Sequence, residues 1–209
     1  MKVELHLHTN RYSACAVASP RELMKCLLDC GYEAVYLTEH DMVWPDEEIA
    51  ELAGQFPQLR IFPGIELSIG ELLSFQHLLV LGTNDREYVK MAHGARPDVE
   101  GILAKARAAG HLTVLAHPCR WDEGSKMLRR GFVPDALENR TCNQGPDQAA
   151  AARRLAEEHS LPFVNSGDVH SAAMVGRFWI DTAAPLADAN DIRAVVLDGA
   201  YANCVEPET

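Results

Sequence analysis

The sequence predicts an α/β fold whose strands curl into a barrel of about seven strands. Three observations carry this expectation. Short apolar runs take turns with stretches of helical periodicity along nearly the whole chain. The helical stretches open on capping residues and close on glycine. Histidines and carboxylates fall repeatedly where an apolar run ends, which is the rim where a β/α barrel gathers its working groups.

The first strand runs from Val3 to Leu7 with a two-residue alternation, so His6 and His8, two apart, face the same side and can share one ion. Ser19-Pro20-Arg21-Glu22 is a capping box with proline at the first helical position, and the helix it opens carries Leu23, Cys26 and Leu27 to its stop at Gly31. The strand Ala34 to Leu37 delivers Thr38-Glu39-His40-Asp41, and a helix follows Pro45 through Ile49, Leu52 and Ala53. Arg60 to Pro63 ends in Gly64-Ile65-Glu66. His77 opens the run Leu78 to Leu81, so it alone sits at a strand's start.

Pro97 to Ala109 is an amphipathic helix with Val99, Ile102, Leu103 and Ala106 on one face and Gly110 as its stop. The strand Thr113 to Ala116 delivers His117, and a weaker strand spans Ala136 to Glu138. The alanine-rich segment Asp147 to His159 is a helix, and Leu161 to Val164 leads into Asn165-Ser166-Gly167-Asp168-Val169-His170. A last strand, Phe178 to Ile180, and a helix near Ala189 to Leu197 complete the chain. Alternation of this kind argues for a parallel sheet, and the segments Met42 to Glu48 and Trp121 to Gly131 read as loops on its rim.

The 209 residues suit one domain with a single good core, read as spanning 1–209. The start lacks an apolar leader, and no segment approaches the ~20 apolar residues of a membrane span, which points to a cytoplasmic protein without membrane partners. Six scattered cysteines read as reduced thiols, buried or near the site. A net charge of −11 argues against binding to a duplex nucleic-acid backbone, which needs clustered cations.

Of nine histidines, His93, His111 and His159 lie between or at the ends of helical stretches, where a packing or capping role suffices. His6, His8, His40, His117 and His170 each lie at or just beyond a strand end, as do Glu66 and Asp168, and His77 joins them at a strand start. Imidazoles with carboxylates suit zinc, iron or manganese, and this many exceed the four ligands of one tetrahedral zinc, so two or three divalent ions are implied. Neighbouring ions with a bridging hydroxide equip a site for in-line displacement at phosphorus.

The motifs HLHT (His6 to Thr9), TEHD (Thr38 to Asp41), GIE (Gly64 to Glu66), AHP (Ala116 to Pro118) and GDVH (Gly167 to His170) resemble, in order, those of the polymerase and histidinol phosphatase (PHP) family. The resemblance implies a distorted (β/α)7 TIM-like barrel holding three divalent ions. It places His6, His8, Glu66 and Asp168 on the first, makes Glu66 a bridge to a second held by His77 and His117, and puts His40 and His170 on a third. The chain departs from the pattern at Glu4, where such proteins often carry aspartate, and at Ala14, where many carry a ligand for the third ion; Cys15 offers a thiolate next door.

The function this implies is hydrolysis of a small phosphate ester, of the nucleotide, sugar-phosphate or histidinol-phosphate kind. Asp168 and His170 are the candidates for proton transfer, and Arg120 and Arg177, with Arg11 as a third, for a bidentate phosphate clamp. Trp44 and Trp121 read either as loop packing or as platforms for stacking on a base. Two other readings stay open: a C–N hydrolase of the amidohydrolase type, against which Glu66 stands where a bridging lysine is expected, and a non-catalytic interaction module, against which nearly all ligand positions are filled.

Overall fold

The computed structural model describes the chain apart from residues 72, 73, 95, 122, 208 and 209 and the side chains of 71, 74, 75 and 123. Its strands are β1 (Lys2–Glu4), β2 (Ala34–Leu37), β3 (Arg60–Glu71), β4 (Ser74–Leu81), β5 (Leu112–Ala116), β6 (Ala136–Glu138), β7 (Phe163–Val164), β8 (Phe178–Thr182) and β9 (Tyr201–Val205). They form one sheet in the order β7-β6-β5-β4-β3-β2-β1-β8-β9. The strands β1 to β7 are therefore neighbours in chain order, as in a (β/α)7 barrel.

The barrel closes differently at its two ends. At the rim, His8 N donates to Val169 O at 2.8 Å and Val169 N to His6 O at 3.0 Å, which joins the chain beyond β7 directly to the chain beyond β1. At the other end the antiparallel pair β8 and β9 lies between them: β8 pairs with β1, and β9 reaches β7 through Tyr201 Oη and Asn203 Nδ2, which donate to Phe163 O at 2.8 and 2.9 Å. This wedge is what makes the barrel distorted. The sequence reading of one last strand, Phe178 to Ile180, missed β9.

An all-parallel sheet is also corrected. Strand β4 runs antiparallel to both β3 and β5, pairing His77 with Ser68 on one side and Ala116 on the other. Because it runs backwards, its beginning lies where its neighbours end, so His77 at a strand start is on the same rim as the other histidines.

The helices are α1 (Pro20–Asp29), α2 (Asp46–Gln55), α3 (Glu87–Ala92), α4 (Val99–Ala109), α5 (Glu123–Arg129), α6 (Pro146–His159) and α7 (Asp191–Leu197). The reciprocal capping box at Ser19 and Glu22 and the left-handed Gly110 closing α4 at φ 78° are as the sequence implies. Helices α3 and α5 were not anticipated, and α5 occupies much of the segment read as the loop Trp121 to Gly131. Among the described residues no helix is long and apolar enough to cross a membrane.

Alternation along the strands sorts the core. Ala34 and Tyr36 of β2, Leu79 and Leu81 of β4 and Leu112 and Val114 of β5 pack inside the barrel, with Ile192 and Val196 of α7 plugging its far end. The intervening residues face outward, Leu78 and Val80 onto Ile102 and Ala106 of α4, and Val35 and Leu37 onto Leu23 and Leu27 of α1. The rim is thus the end left open.

Near the first strand this alternation slips. Val3 and Leu5 belong to the interior cluster but Leu7 to an outer one, while His6 and His8 turn inward. The ladder of β1 stops at Glu4, whose carboxylate accepts from His6 N at 3.1 Å, so Val3 to Leu7 is not one regular strand. The face shared by His6 and His8 survives because both lie beyond the slip.

Candidate metal centre

Side chains from four other strands converge on one buried carboxylate. Glu66, within β3, points its Oε1 at His6 Nε2 (3.2 Å), His77 Nδ1 (2.8 Å) and His117 Nε2 (3.2 Å), and its Oε2 at His8 Nε2 (3.2 Å) and His40 Nδ1 (2.8 Å). Asp168 Oδ1 adds contacts of 3.3 Å to His6 Nε2 and 3.5 Å to His8 Nε2 and to His170 Nδ1. The eight residues read from the sequence as ligand candidates are therefore one cluster.

Burial is uneven across it. His6, His8 and Glu66 have no exposed side-chain surface, whereas His40 is 29 % and His170 18 % exposed. Three groupings bring ligand atoms within reach of a single ion: His6 with His8 and Glu66; His40 with Glu66 and His77; and His8 with His40 and His170.

Outer hydrogen bonds fix the ring tautomers. His6 Nδ1 lies 2.9 Å from Glu138 Oε1, and an ionised carboxylate only accepts, so Nδ1 carries the proton and Nε2 the lone pair. Ser13 Oγ donates to Glu39 at 2.6 Å and therefore accepts from His8 Nδ1 at 3.3 Å, which leaves a lone pair on His8 Nε2 as well. These two Nε2 atoms are 2.9 Å apart, beside carboxylate oxygens of Glu66 and Asp168. Two neutral imidazoles and two carboxylates converging on one spot repel unless a cation lies among them. The donor set therefore fits a divalent ion, with the outer partners that orient histidine ligands already in place.

The electrostatics without an ion say the same. Burial opposes a charge on His6, but Asp168, Glu66 and Glu138 outweigh it and hold its pKa well above the ordinary value. His8 is raised in the same way by Asp168 and Glu66 against its burial. Glu66 and Asp168 are held well below the usual carboxylate range despite burial, by the surrounding imidazoles. His170 goes the other way, pushed down to about 4 by burial and the neighbouring His8, so it is neutral and ligand-ready at neutral pH. Its Nδ1 donates to Asp168 O at 2.9 Å, turning Nε2 away.

Three backbone positions here are left-handed without being glycine: Asp41 (φ 50°), His117 (φ 30°) and Asp168 (φ 48°). Each belongs to, or directly follows, a ligand candidate, and strain of this sort persists only where the surroundings enforce it. Glu138 Oε2 holds the His117 turn by accepting from His117 N at 2.7 Å, and its Oε1 also accepts from Ser166 Oγ.

Sequence reasoning missed several supporting residues. Glu138 ends a strand just as the candidate ligands do, which was the available signal. Glu39 stands next to His40 and collects Thr9 N, Thr9 Oγ1, Ser13 Oγ and Trp44 Nε1. Trp44 is thus a buried packing residue and does not stack on a base. Asn143, which donates to Asp168 Oδ2 at 2.7 Å, carries no sequence signal at all.

The arginine candidates separate. Arg120 is on the rim, its N donating to His117 O, with its guanidinium 4.9 Å from the Trp121 ring, which stands edge-on to His77 and His117. Arg177 lines a neighbouring cavity and pairs with Glu206 at 3.2 Å. Arg11 makes a two-pronged pair with Glu48, both contacts 3.1 Å, and is not a clamp on the cluster.

The remaining histidines sit outside the cluster: His111 meets Tyr88 Oη at 2.8 Å, His159 lies in the last turn of α6, and His93 pairs with Asp41 at 2.9 Å. The six cysteines are free thiols, as expected, with Cys15 and Cys30 exposed and the other four half-buried.

Residues 147–201, which hold Asp168 and His170, match a family model described as PHP-associated. No curated protein matches the chain in sequence. Among solved structures, a two-domain protein from Bacteroides vulgatus containing a PHP-like metal-dependent phosphoesterase is 15% identical with a TM-score of 0.72, the match covering 98% of this chain and 64% of that one. A metal-dependent phosphoesterase from Bifidobacterium adolescentis is 15% identical with a TM-score of 0.64, over 92% of this chain and 94% of its own. An amidohydrolase from Chromobacterium violaceum, bearing sulfate and no metal, is 15% identical with a TM-score of 0.62, over 82% and 88%. These likenesses share the fold, and with the matched segment they bear out the resemblance drawn from the five motifs.

Proposed function

On the premise that this chain is of the PHP type, in its fold and in its C-terminal segment, we propose that its 209 residues act as one unit, a metal-dependent phosphoesterase hydrolysing a small phosphate ester. The observation that carries this reading is Glu66, a buried carboxylate with both oxygens turned to five imidazoles from four different strands. Divalent ions bound there, zinc, manganese or iron, supply an activated water at neutral pH and charge stabilisation for displacement at phosphorus.

The chain's own residues do the rest. His6, His8, Glu66 and Asp168 would hold an ion at the most buried position, His77 and His117 with Glu66 would hold a second, and His40 with His170 would serve the open side. Ala14 stands where the resemblance implies a ligand for the third ion, so the open position would rest on fewer protein groups. Asp168 orients the attacking water and receives its proton. Arg120 holds a phosphate oxygen from the rim. Glu66 in the bridging place supports phosphate chemistry over the C–N reading, which uses a lysine there.

The test is elemental analysis of protein purified without chelator, paired with a phosphate-release panel in added manganese. Bound divalent metal with turnover of at least one monoester is expected. Absence of both would sink the reading.

A further inference from the structure

Beside the cluster, between the loop that follows β6 and the segment that follows β7, lies a cavity of ≈ 410 Å³. Arg140, Thr141, Cys142, Gln144, Met174 and Arg177 are in its wall. It contains no ligand candidate yet adjoins two. Asn143, flanked by the lining residues Cys142 and Gln144, donates to Asp168 Oδ2 at 2.7 Å, and Met174 Sδ accepts from His170 N at 3.3 Å.

The charge of this cavity runs against that of the chain. The protein carries a net −11, but the charged side chains lining the cavity are both guanidiniums. Arg140 has no ion-pair partner among the described residues. Arg177 meets Glu206 through Nε, in a pair more than half exposed on each side and therefore screened by solvent. The first turn of the fourteen-residue helix α6 opens on the same wall at Pro146, adding the positive end of its dipole. Gln144 donates through Nε2 to Asn139 O at 3.2 Å, while its Oε1 is buried without a partner. The cavity offers bidentate donors for an anion.

Resting on the phosphoesterase reading, we propose that this cavity seats the leaving group of the substrate, and that this leaving group carries an anionic end, a carboxylate or a second phosphate. Hydrolysis breaks the P–O bond to the leaving oxygen, water supplies the new P–O bond and its proton goes to that oxygen, so the anionic end stays unchanged in Arg140 and Arg177 throughout. Specificity is then set on the His170 side of the cluster, away from Arg120 and Trp121.

The experiment is a comparison of kcat/KM by the metal-loaded protein on three series of alkyl phosphates of graded chain length, ending in hydroxyl, carboxylate or phosphate, with 4-nitrophenyl phosphate as a reference. One anionic series is expected to exceed the hydroxyl series about tenfold at its best length, mainly through KM. Which series does so distinguishes carboxylate from phosphate. Arg140→Ala and Arg177→Ala are each expected to bring that ratio towards one, and raised ionic strength to shrink it. Equal kcat/KM across the series, or a ratio unchanged in both variants, overturns the proposal while 4-nitrophenyl phosphate turnover leaves the phosphoesterase reading standing. No hydrolysis of any ester by protein shown to hold metal overturns that reading and this proposal with it. Both arginines are exposed, and circular dichroism of the variants confirms that the fold is kept.

Discussion

The two halves of the histidine cluster are built to different standards. On the buried side, His6 and His8 are anchored through Nδ1 by Glu138 and by Ser13 with Glu39 behind it, and no solvent reaches them. On the open side, His170 is held by one carbonyl, and His40 by Glu66 and a backbone bond to Ser13, with both rings partly exposed. The buried half fixes tautomer and position before any ion arrives, and the open half leaves room for exchange. On the metal-dependent reading, an ion on the buried side would be held more tightly than one on the open side.

Breaking the buried half has the largest expected effect. His8→Ala removes a nitrogen from the most buried grouping, and turnover should fall by more than the roughly 100-fold that losing an outer partner costs. Metal analysis of the same variant should show the buried ion gone. Retention of full metal content would refute the division.

Glu138→Gln comes next, and it is sharper because it leaves every ligand in place. A glutamine in either orientation presents an amide N–H to His6 Nδ1–H or to His117 N–H, so one of two buried bonds becomes a donor facing a donor. Metal affinity, measured by competition with a chromophoric chelator, should drop about 10- to 100-fold. Glu138→Asp, which keeps the acceptors, should lose less. Nitrogen-15 NMR of His6 should register a shift towards the other tautomer in Glu138→Gln only.

How much of this was legible in the sequence follows from the same division. Ligand candidates announce themselves by residue type at strand ends, so His6, His8, His40, Glu66, His117, Asp168 and His170 were all readable. His77 looked anomalous only because the antiparallel course of β4 depends on pairing across the sheet, which no local pattern records. The outer partners were hidden for a physical reason. Glu39 reaches Ser13, 26 positions away, and Glu138 reaches His117, 21 positions away, and a buried carboxylate is indistinguishable in sequence from a solvated one. The strand β9 escaped because its alternation is half exposed and apolar only in part.

pH should separate the metal-free protein from the loaded one. In the metal-free chain His6 has a raised pKa, so the stability it contributes is complete below its unfolded value near 6.5 and is lost as pH rises through the higher folded value. Glu4, pushed up to about 8 by burial, acts in the same direction, since its ionisation in the fold is disfavoured between the usual 4.5 and about 8. Metal-free protein should therefore lose several degrees of Tm between slightly acidic and mildly alkaline pH, at ~2–4 °C per kcal/mol for a chain of this size. Divalent metal takes the place of the proton at the cluster, so loaded protein should show the opposite trend as acid displaces the ion. Parallel curves with and without metal would mean that His6 is not at the ion.

The smallest effect is expected from the open side. His170 is already neutral at working pH and its ring is oriented by the Asp168 backbone carbonyl, with the Asp168 carboxylate 3.5 Å away, so His170→Gln removes one ligand without exposing a buried charge. The buried half should keep its ion, and the variant should lose at most one equivalent of metal, with a fall in affinity of under about tenfold for what remains. A titration that separates tight from weak equivalents reads this directly. If His170→Gln empties the whole cluster as His8→Ala does, the two halves are one cooperative unit, and the exposure of His40 and His170 marks only the path by which ions enter.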